Sequence, residues 1–274
     1  MVTIKAKDFE YDGKNLSDFG FIICNFGSKG LETISNGGQS TFNTVSTLDG
    51  KKHRKVSVKY EDCAEDVIQI CKTPCYGNVM EISDIEFREM TRWLGRNKFL
   101  KFKKLEQAYI DLYFEVRFKI SKIEIDGILY GLELEVESNA PFARKEAKII
   151  TIKNTTQNGI HSINDTSCEE GHTYPYTEIT IGDIDDLPNE EKYLRIYNAR
   201  EDRETYINGV STGEVITMDY PIITSSLPSH NIQNDFNYTF FRVANTYENS
   251  RNDLTISIPC TIKMKYSPIV KVGL

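Results

Sequence analysis

The sequence is short of the features that most readily announce a function. Its 274 residues hold no apolar run approaching the roughly 20 residues of a membrane-spanning helix. The first ten residues lack an apolar signal core, so the expectation is synthesis without Sec export. The six cysteines, at positions 24, 63, 71, 75, 168 and 260, form no paired framework, which fits a reducing compartment at synthesis. The four histidines are unclustered, and no Ser–His–Asp or Cys–His grouping is visible in the linear order. There is no excess of positive charge. The net charge is −7, of which residues 1–142 carry −2 and residues 143–274 carry −5. Neither half has the bulk charge of a nucleic-acid binder. With 39% hydrophobic and 27% charged residues, the chain has the composition of a globular protein, and its length suffices for two domains with cores of their own.

What is present is concentrated between residues 82 and 142. Ser83 is a good N-cap, Glu86 completes a capping box, and Ile82 with Phe87 makes a hydrophobic staple. Phe87, Met90, Trp93 and Leu94 recur at helical spacing, and Gly95 is positioned as a left-handed stop, which predicts a helix over about 83–95. The period then changes to two. Ile110, Leu112, Phe114, Val116, Phe118 and Ile120 alternate with polar residues and predict a half-buried strand over 109–120. Asp126-Gly127 is a hairpin signal, and Ile128, Tyr130, Leu132, Leu134 and Val136 mark the return strand. A slip of the apolar phase between Ile120 and Ile123 predicts a bulge or strand break there.

Ahead of this block, Phe9 and Tyr11 lead to a turn at Asp12-Gly13, and residues 19–24 read as a strand buried on both faces. Residues 27–55 are rich in Gly, Ser, Thr and Asn. They read as an excursion around a hairpin at about 36–55, turning at Asp49-Gly50, with Lys51 to Lys55 charging one limb. Residues 56–60 and 67–71 are further strand candidates. Pro141 marks a boundary between domains 1–142 and 143–274. After a strand at 143–153, short strands at 177–181, 193–197, 205–207, 214–218, 239–243, 254–258 and 262–266 predict an antiparallel sandwich without a helix. The fold class is therefore mainly β: an N-terminal sandwich or barrel-like domain with one helix, then a β-sandwich.

Four groups of residues invite a chemical reading. His53, Cys63, Cys71 and Cys75 could be a loose zinc set, but the spacing matches no structural zinc pattern, and buried free cysteines serve equally well. Asp183, Asp185 and Asp186 resemble part of a calcium loop that lacks the EF-hand's glycine and terminal glutamate, so a solvated acidic turn is the plainer reading. The basic run Arg96–Lys104 interleaves Phe99 and Phe102 with lysines. It could track a nucleic-acid backbone, or its aromatics pack while its lysines protect a strand edge. Tyr193, Tyr197 and Tyr206 could stack on a sugar ring or serve as core or interface tyrosines. No catalytic, cofactor or metal residue is assigned, and no enzymatic activity is expected.

The order of parts resembles a known family. The opening Phe9-x-Tyr-Asp-Gly-Lys-Asn-Leu-Ser-Asp-Phe-Gly20-Phe-Ile-Ile, the Trp93 helix, the long hairpin closing on Ala140-Pro-Phe142, and the stretch Ile207-Asn-Gly-Val-x-x-Gly213-Glu-Val-Ile-x-Met-Asp219-Tyr are together similar to the distal tail proteins of long-tailed phages. The resemblance implies a ring-forming structural protein, usually a hexamer, at the end of the tail tube in the virion. Residues 1–142 would build the ring, the hairpin at 36–55 would be a belt reaching a neighbouring subunit, and residues 143–274 would form a peripheral galectin-like sandwich. The implied partners are further copies of the chain, the tail tube protein, a tail-associated lysin or tail-tip protein, and receptor-binding proteins, with neither membrane nor sequence-specific nucleic acid. The implied site of synthesis is the host cytoplasm. Where relatives often show a Gly-x-Asn turn before the last strands, this chain has Arg251-Asn252-Asp253. A carbohydrate-binding module built on the second sandwich is the alternative function.

Overall fold

The computed structural model describes residues 8–26, 40–46, 53–60, 63, 65–74, 79–246 and 248–271. They form two compact units, one of residues up to 145 together with those from 270 onward, the other of residues 146–269.

The first unit opens with a hairpin, β1 (Phe9–Tyr11) and β2 (Lys14–Asn15), turning through Asp12 at φ 52° and Gly13 at φ 75°. Positive φ at both central residues is what a tight hairpin matching strand twist requires. A 3-10 turn, Leu16–Phe19, leads into β3 (Phe21–Cys24). Strands β4 (Ser40–Ser46) and β5 (His53–Tyr60) pair with each other and, among the described residues, with no other strand. Then come β6 (Glu65–Lys72), helix α1 (Asp84–Leu94), β7 (Leu100–Lys104), β8 (Leu112–Ile125), β9 (Ile128–Ser138) and the short β10 (Ala143–Lys145). The sheet runs β2-β1-β7-β8-β9-β6-β3, and β10 pairs with β8 beyond the end of β9.

That sheet is strongly curved. Lys104 and Asp66 lie on β7 and β6, with β8 and β9 between them, yet Lys104 Nζ is 2.6 Å from Asp66 Oδ2. Both side chains share the inward phase of their strands, Lys104 with Phe102 and Asp66 with Ile68. The concave face wraps an aromatic core of Phe9, Tyr11, Trp93, Phe102 and Phe118, whose ring centroids lie 4.8–6.2 Å apart. Pairs at such spacing add roughly 0.5–1.5 kcal/mol each beyond the area they bury.

Helix α1 closes this core with Met90, Trp93 and Leu94. Its capping box is formed: Glu86 N donates to Ser83 Oγ, and Ser83 N donates to Glu86 Oε2 at 2.8 Å. Ile82 is buried in the core and Phe87 packs against it, as a staple requires. The stop differs from the expected one. Gly95 has φ −77°, outside the left-handed region. A Cβ there would stand 2.7 Å from Thr91 O, so glycine serves close approach rather than a positive φ.

Other expectations are corrected in this unit. Strand β8 starts only at Leu112, because residues 106–111 turn, with Tyr109 N donating to Glu106 O and Leu112 N to Tyr109 O; Ile110 is exposed. The irregularity comes later than the apolar pattern indicates. Pairing runs regularly from Val116↔Ser138 to Ile123↔Gly131 and then shifts to Glu124↔Leu129. The extra residue, Tyr130, flips the phase of the return strand, so Leu129 is buried while Ile128 is exposed. Strand β3 ends the sheet path and only Phe21 is buried, so residues 19–24 are not buried on both faces.

The second unit contains β11 (Lys148–Asn154), β12 (Gly159–Asn164), β13 (Gly171–Thr173), β14 (Tyr176–Ile181), β15 (Leu194–Asn198), β16 (Arg203–Ile207), β17 (Val215–Asp219), β18 (Ile222–Ser225), β19 (Val243–Asn245), β20 (Arg251–Ile256) and β21 (Cys260–Tyr266). Two sheets, β11-β21-β14-β17-β18 and β12-β20-β15-β16, are antiparallel throughout, and β13 pairs with β19. Inward residues of the first (Ile179, Ile216, Ile262, Met264) and of the second (Leu194, Ile196, Leu254, Ile256) belong to one core, as in a sandwich. Residues 239–242 are not a strand. Phe240 and Phe241 enter the core from irregular backbone, because Asn237 Oδ1 accepts from Thr239 N and from Tyr206 N and holds the segment in a turn. One helical turn, α2 (Ile232–Asp235), occurs where none is expected. Arg251, Asn252 and Asp253 open strand β20 rather than forming a turn. Asn252 is fully buried, accepting from Ala244 N and Asn198 Nδ2 while donating to Ala244 O and Ser250 O.

Candidate functional site

The structure disperses three of the four groups. Of the zinc candidates, Cys75 and the side chain of His53 lie outside the described residues, Cys63 is exposed, and Cys71 is buried on β6. Cys71 sits beside Cys24; burial and the hydrogen bond between the two thiols push the Cys24 thiol well above its ordinary pKa. No metal-binding group occurs among the described residues. In the acidic turn, Asp183 Oδ1 accepts from Asp185 N, and Asp185 Oδ1 accepts from Thr212 Oγ1 at 2.7 Å. Those carboxylates hold a loop together. The basic strand β7 is internal, between β1 and β8, so it is no sheet edge. Its lysines are engaged: Lys101 lies 4.6 Å from the Tyr113 ring, and Lys104 holds Asp66.

The tyrosines do share a surface. Tyr193, Tyr197 and Tyr206 are half-buried on the outer face of the β15–β16 pair, with Tyr193 and Tyr206 stacked at 5.2 Å. Around them, Arg195 Nε meets Glu204 Oε2 at 2.5 Å, Tyr197 Oη donates to Asp202, and Arg251 pairs with Asp253. Hydrogen bonding to the Asp202 carboxylate raises the Tyr197 phenol pKa, since the phenolate would repel that carboxylate. The polar groups of this face therefore satisfy one another, leaving it closer to a contact surface than to a sugar site.

A different concavity lies in the first unit and escaped the sequence. Lys14 on β2, Phe19 after it, Glu89, Arg92 and Trp93 on α1, and Arg96 just beyond the helix line a cavity of about 300 Å³. Phe19 stacks on Trp93 at 4.3 Å and 19°, forming an aromatic base. The indole is fixed from behind: Trp93 Nε1 donates to Tyr11 O at 3.1 Å. Arg96 is held by donating Nε to Trp93 O, and Lys14 Nζ lies 5.8 Å from the Phe19 ring. Among the described residues no acid lies within ion-pair distance of Lys14, Arg92 or Arg96, so three cations and one carboxylate face solvent around the half-buried Phe19 ring, with Trp93 buried behind it. Such a pocket suits an apolar group flanked by acids.

Family models cover both halves of the chain. One described as a phage tail protein N-terminal domain matches residues 4–140, and one described as a phage tail C-terminal domain matches residues 142–266. The chain belongs to this family of phage tail proteins. Among solved structures, the tail protein is similar to the Dit (gp 19.1) protein of phage SPP1, described as a paradigm of the hub adsorption apparatus in Gram-positive-infecting phages. The two share 10% identity over 95% of this chain and 98% of that one, with a TM-score of 0.59. It also matches a chain of the phage P2 baseplate in its activated conformation with Ca, at 11% identity over 94% and 97% of the two chains and a TM-score of 0.43. No curated protein sequence matches it. The mainly β, Dit-like fold of the tail protein agrees with the resemblance drawn from the order of its parts.

The Trp93 pocket was invisible in the linear order because its two halves are far apart in sequence. The one available signal was the spacing Glu89, Arg92, Trp93, which puts these three on neighbouring positions of one helical surface.

Proposed function

We propose that the chain is a structural hub at the distal end of a phage tail. Copies associate head to tail into a ring, a hexamer, that joins the tail tube to the tip or baseplate and its receptor-binding components. Residues 1–142 form the ring, the hairpin around residues 36–55 is a belt on the neighbouring copy, and residues 143–274 are a galectin-like outer domain. The protein has no chemistry of its own. Its partners are the tube protein, a tail-associated lysin or tip protein, and receptor-binding proteins; it is made in the host cytoplasm and resides in the virion.

The observation that carries this reading is the shared fold with the SPP1 hub protein over nearly the full length of both chains. Two features of the structure support it. Strands β4 and β5 find no third strand among the described residues, which leaves edges available for pairing with another chain. The candidate site offers an exposed cationic rim around an aromatic ring, suited to contact with another protein surface. Electron microscopy of virions labelled with an antibody to this chain tests the placement. Label at the far end of the tail is expected; label confined to the capsid or along the tail shaft overturns it.

A further inference from the structure

The first unit also carries a shape complementary to its own pocket. The β8–β9 hairpin outruns its neighbours: β7 pairs with β8 no further along than Val116, and β6 pairs with β9 only up to Gly131. Its tip turns through Asp126 at φ 52° and Gly127 at φ 78°. Ile125 and Ile128 are direct cross-strand partners there, 59% and 38% exposed, flanked by Glu124 and Asp126. Glu124 has only a loose pair with Lys122 at 3.6 Å. Two exposed isoleucines on a two-residue hairpin are costly to leave in water, and the acids beside them match the pocket's cations.

The tip cannot fill the pocket of its own chain. Ile82 N donates to Leu129 O, and Lys122 sits 4.7 Å over the Phe87 ring, so the tip's base lies at the N-terminal end of α1. The pocket lies at the other end, around Trp93 and Arg96. An 11-residue helix, about 16 Å long, separates them.

We propose that the Phe19–Trp93 pocket receives the β8–β9 hairpin tip of a second copy of this chain. Ile125 and Ile128 lie against the half-buried Phe19 ring, which Trp93 backs from the core, and Glu124 and Asp126 face Lys14, Arg92 and Arg96. Knob and hole occupy different places on the unit, so the contact is heterologous and repeats from copy to copy. The proposal rests on the ring reading and names the contact that closes it.

The test is a charge swap read by sedimentation velocity at matched concentration and salt. Lys14→Glu with Arg92→Glu inverts the pocket, and Glu124→Lys with Asp126→Asn inverts the tip while keeping a residue that tolerates positive φ. Each double variant should self-associate at least about tenfold more weakly than wild type, and the variant carrying all four changes should recover. Ile128→Asp should weaken association as well. Far-ultraviolet dichroism and a cooperative thermal transition matching wild type establish that each variant is folded. If wild type forms a ring and the folded inversions form it equally well, or the four-change variant fails to recover, the pocket–tip contact is refuted while the ring stands. If wild type is a monomer at every concentration, the ring reading itself fails and this contact with it.

Discussion

Glu214 offers a demanding test of how the second unit is held together. The residue is fully buried. Its carboxylate accepts from Ser211 N at 3.0 Å and Ser225 Oγ at 2.5 Å, and lies 2.5 Å from His230 Nδ1. His230 is itself 6% exposed, and its Nε2 makes no hydrogen bond, although Asp235 Oδ2 lies 3.4 Å away. One acid thus ties β17 to β18 and to the loop before α2. Glu214→Ala removes all three acceptor contacts and leaves a backbone amide, a hydroxyl and an imidazole without their buried partner. Leaving a buried polar group unsatisfied costs about 1–3 kcal/mol, and with three left here the total is about 3–5 kcal/mol. For a unit of this size that is a fall in Tm of about 10–20 °C. Glu214→Gln keeps the volume and one acceptor oxygen, and should cost about 1.5–3 kcal/mol. The chain's only tryptophan, Trp93, lies in the other unit, so two probes separate the effects. Far-ultraviolet dichroism should show the second unit melting early, while the Trp93 fluorescence transition stays at its wild-type midpoint. A Glu214→Ala cost below about 1 kcal/mol would refute the network's role, and an equal shift in the Trp93 signal would refute separate folding.

Ser83→Ala removes the α1 cap and should lower the Trp93-monitored stability by about 1 kcal/mol in denaturant titration. The hydrogen bond from Lys72, aided by those from Ser83, holds the Glu86 carboxyl below its ordinary value. Its contribution should therefore be complete above pH of about 4.3 and fade as pH falls through the lower folded value, and a titration of the same midpoint between pH 7 and 3 reads it. Residues 143–274 expressed alone should fold with a β-type dichroism spectrum; strong helical bands or an unfolded chain would count against the domain proposal. Deleting residues 40–52 should leave a folded protein that no longer assembles, which light scattering against wild type decides.

Much of the fold was legible because local signals and burial agree. The Ser83 box, the Phe87–Leu94 spacing and the alternation from Leu112 to Phe118 each describe an element whose inward face is also its apolar face. Legibility failed where a neighbour overrides the pattern. Ile110 continues the alternation, but the 106–111 turn takes it out of the sheet. Tyr130 reads as inward until the bulge turns Leu129 in instead. Gly95 looks like a left-handed stop, yet it answers to the Thr91 carbonyl. Phe240 and Phe241 resemble strand residues, but Asn237 fixes them in irregular backbone, and nothing in the local pattern reveals that its side chain accepts from Tyr206 N. The pocket had the weakest trace of all, since Phe19 acquires meaning only when stacked on Trp93.

As the hub proposed above, this phage tail protein should assemble into a closed ring. Light scattering coupled to size exclusion, run over a wide concentration range, measures it most directly. A single species at six times 31.4 kDa, unchanged on dilution, is the predicted result. A monomer of 31.4 kDa at every concentration, or an open series of aggregates growing with concentration, would contradict it.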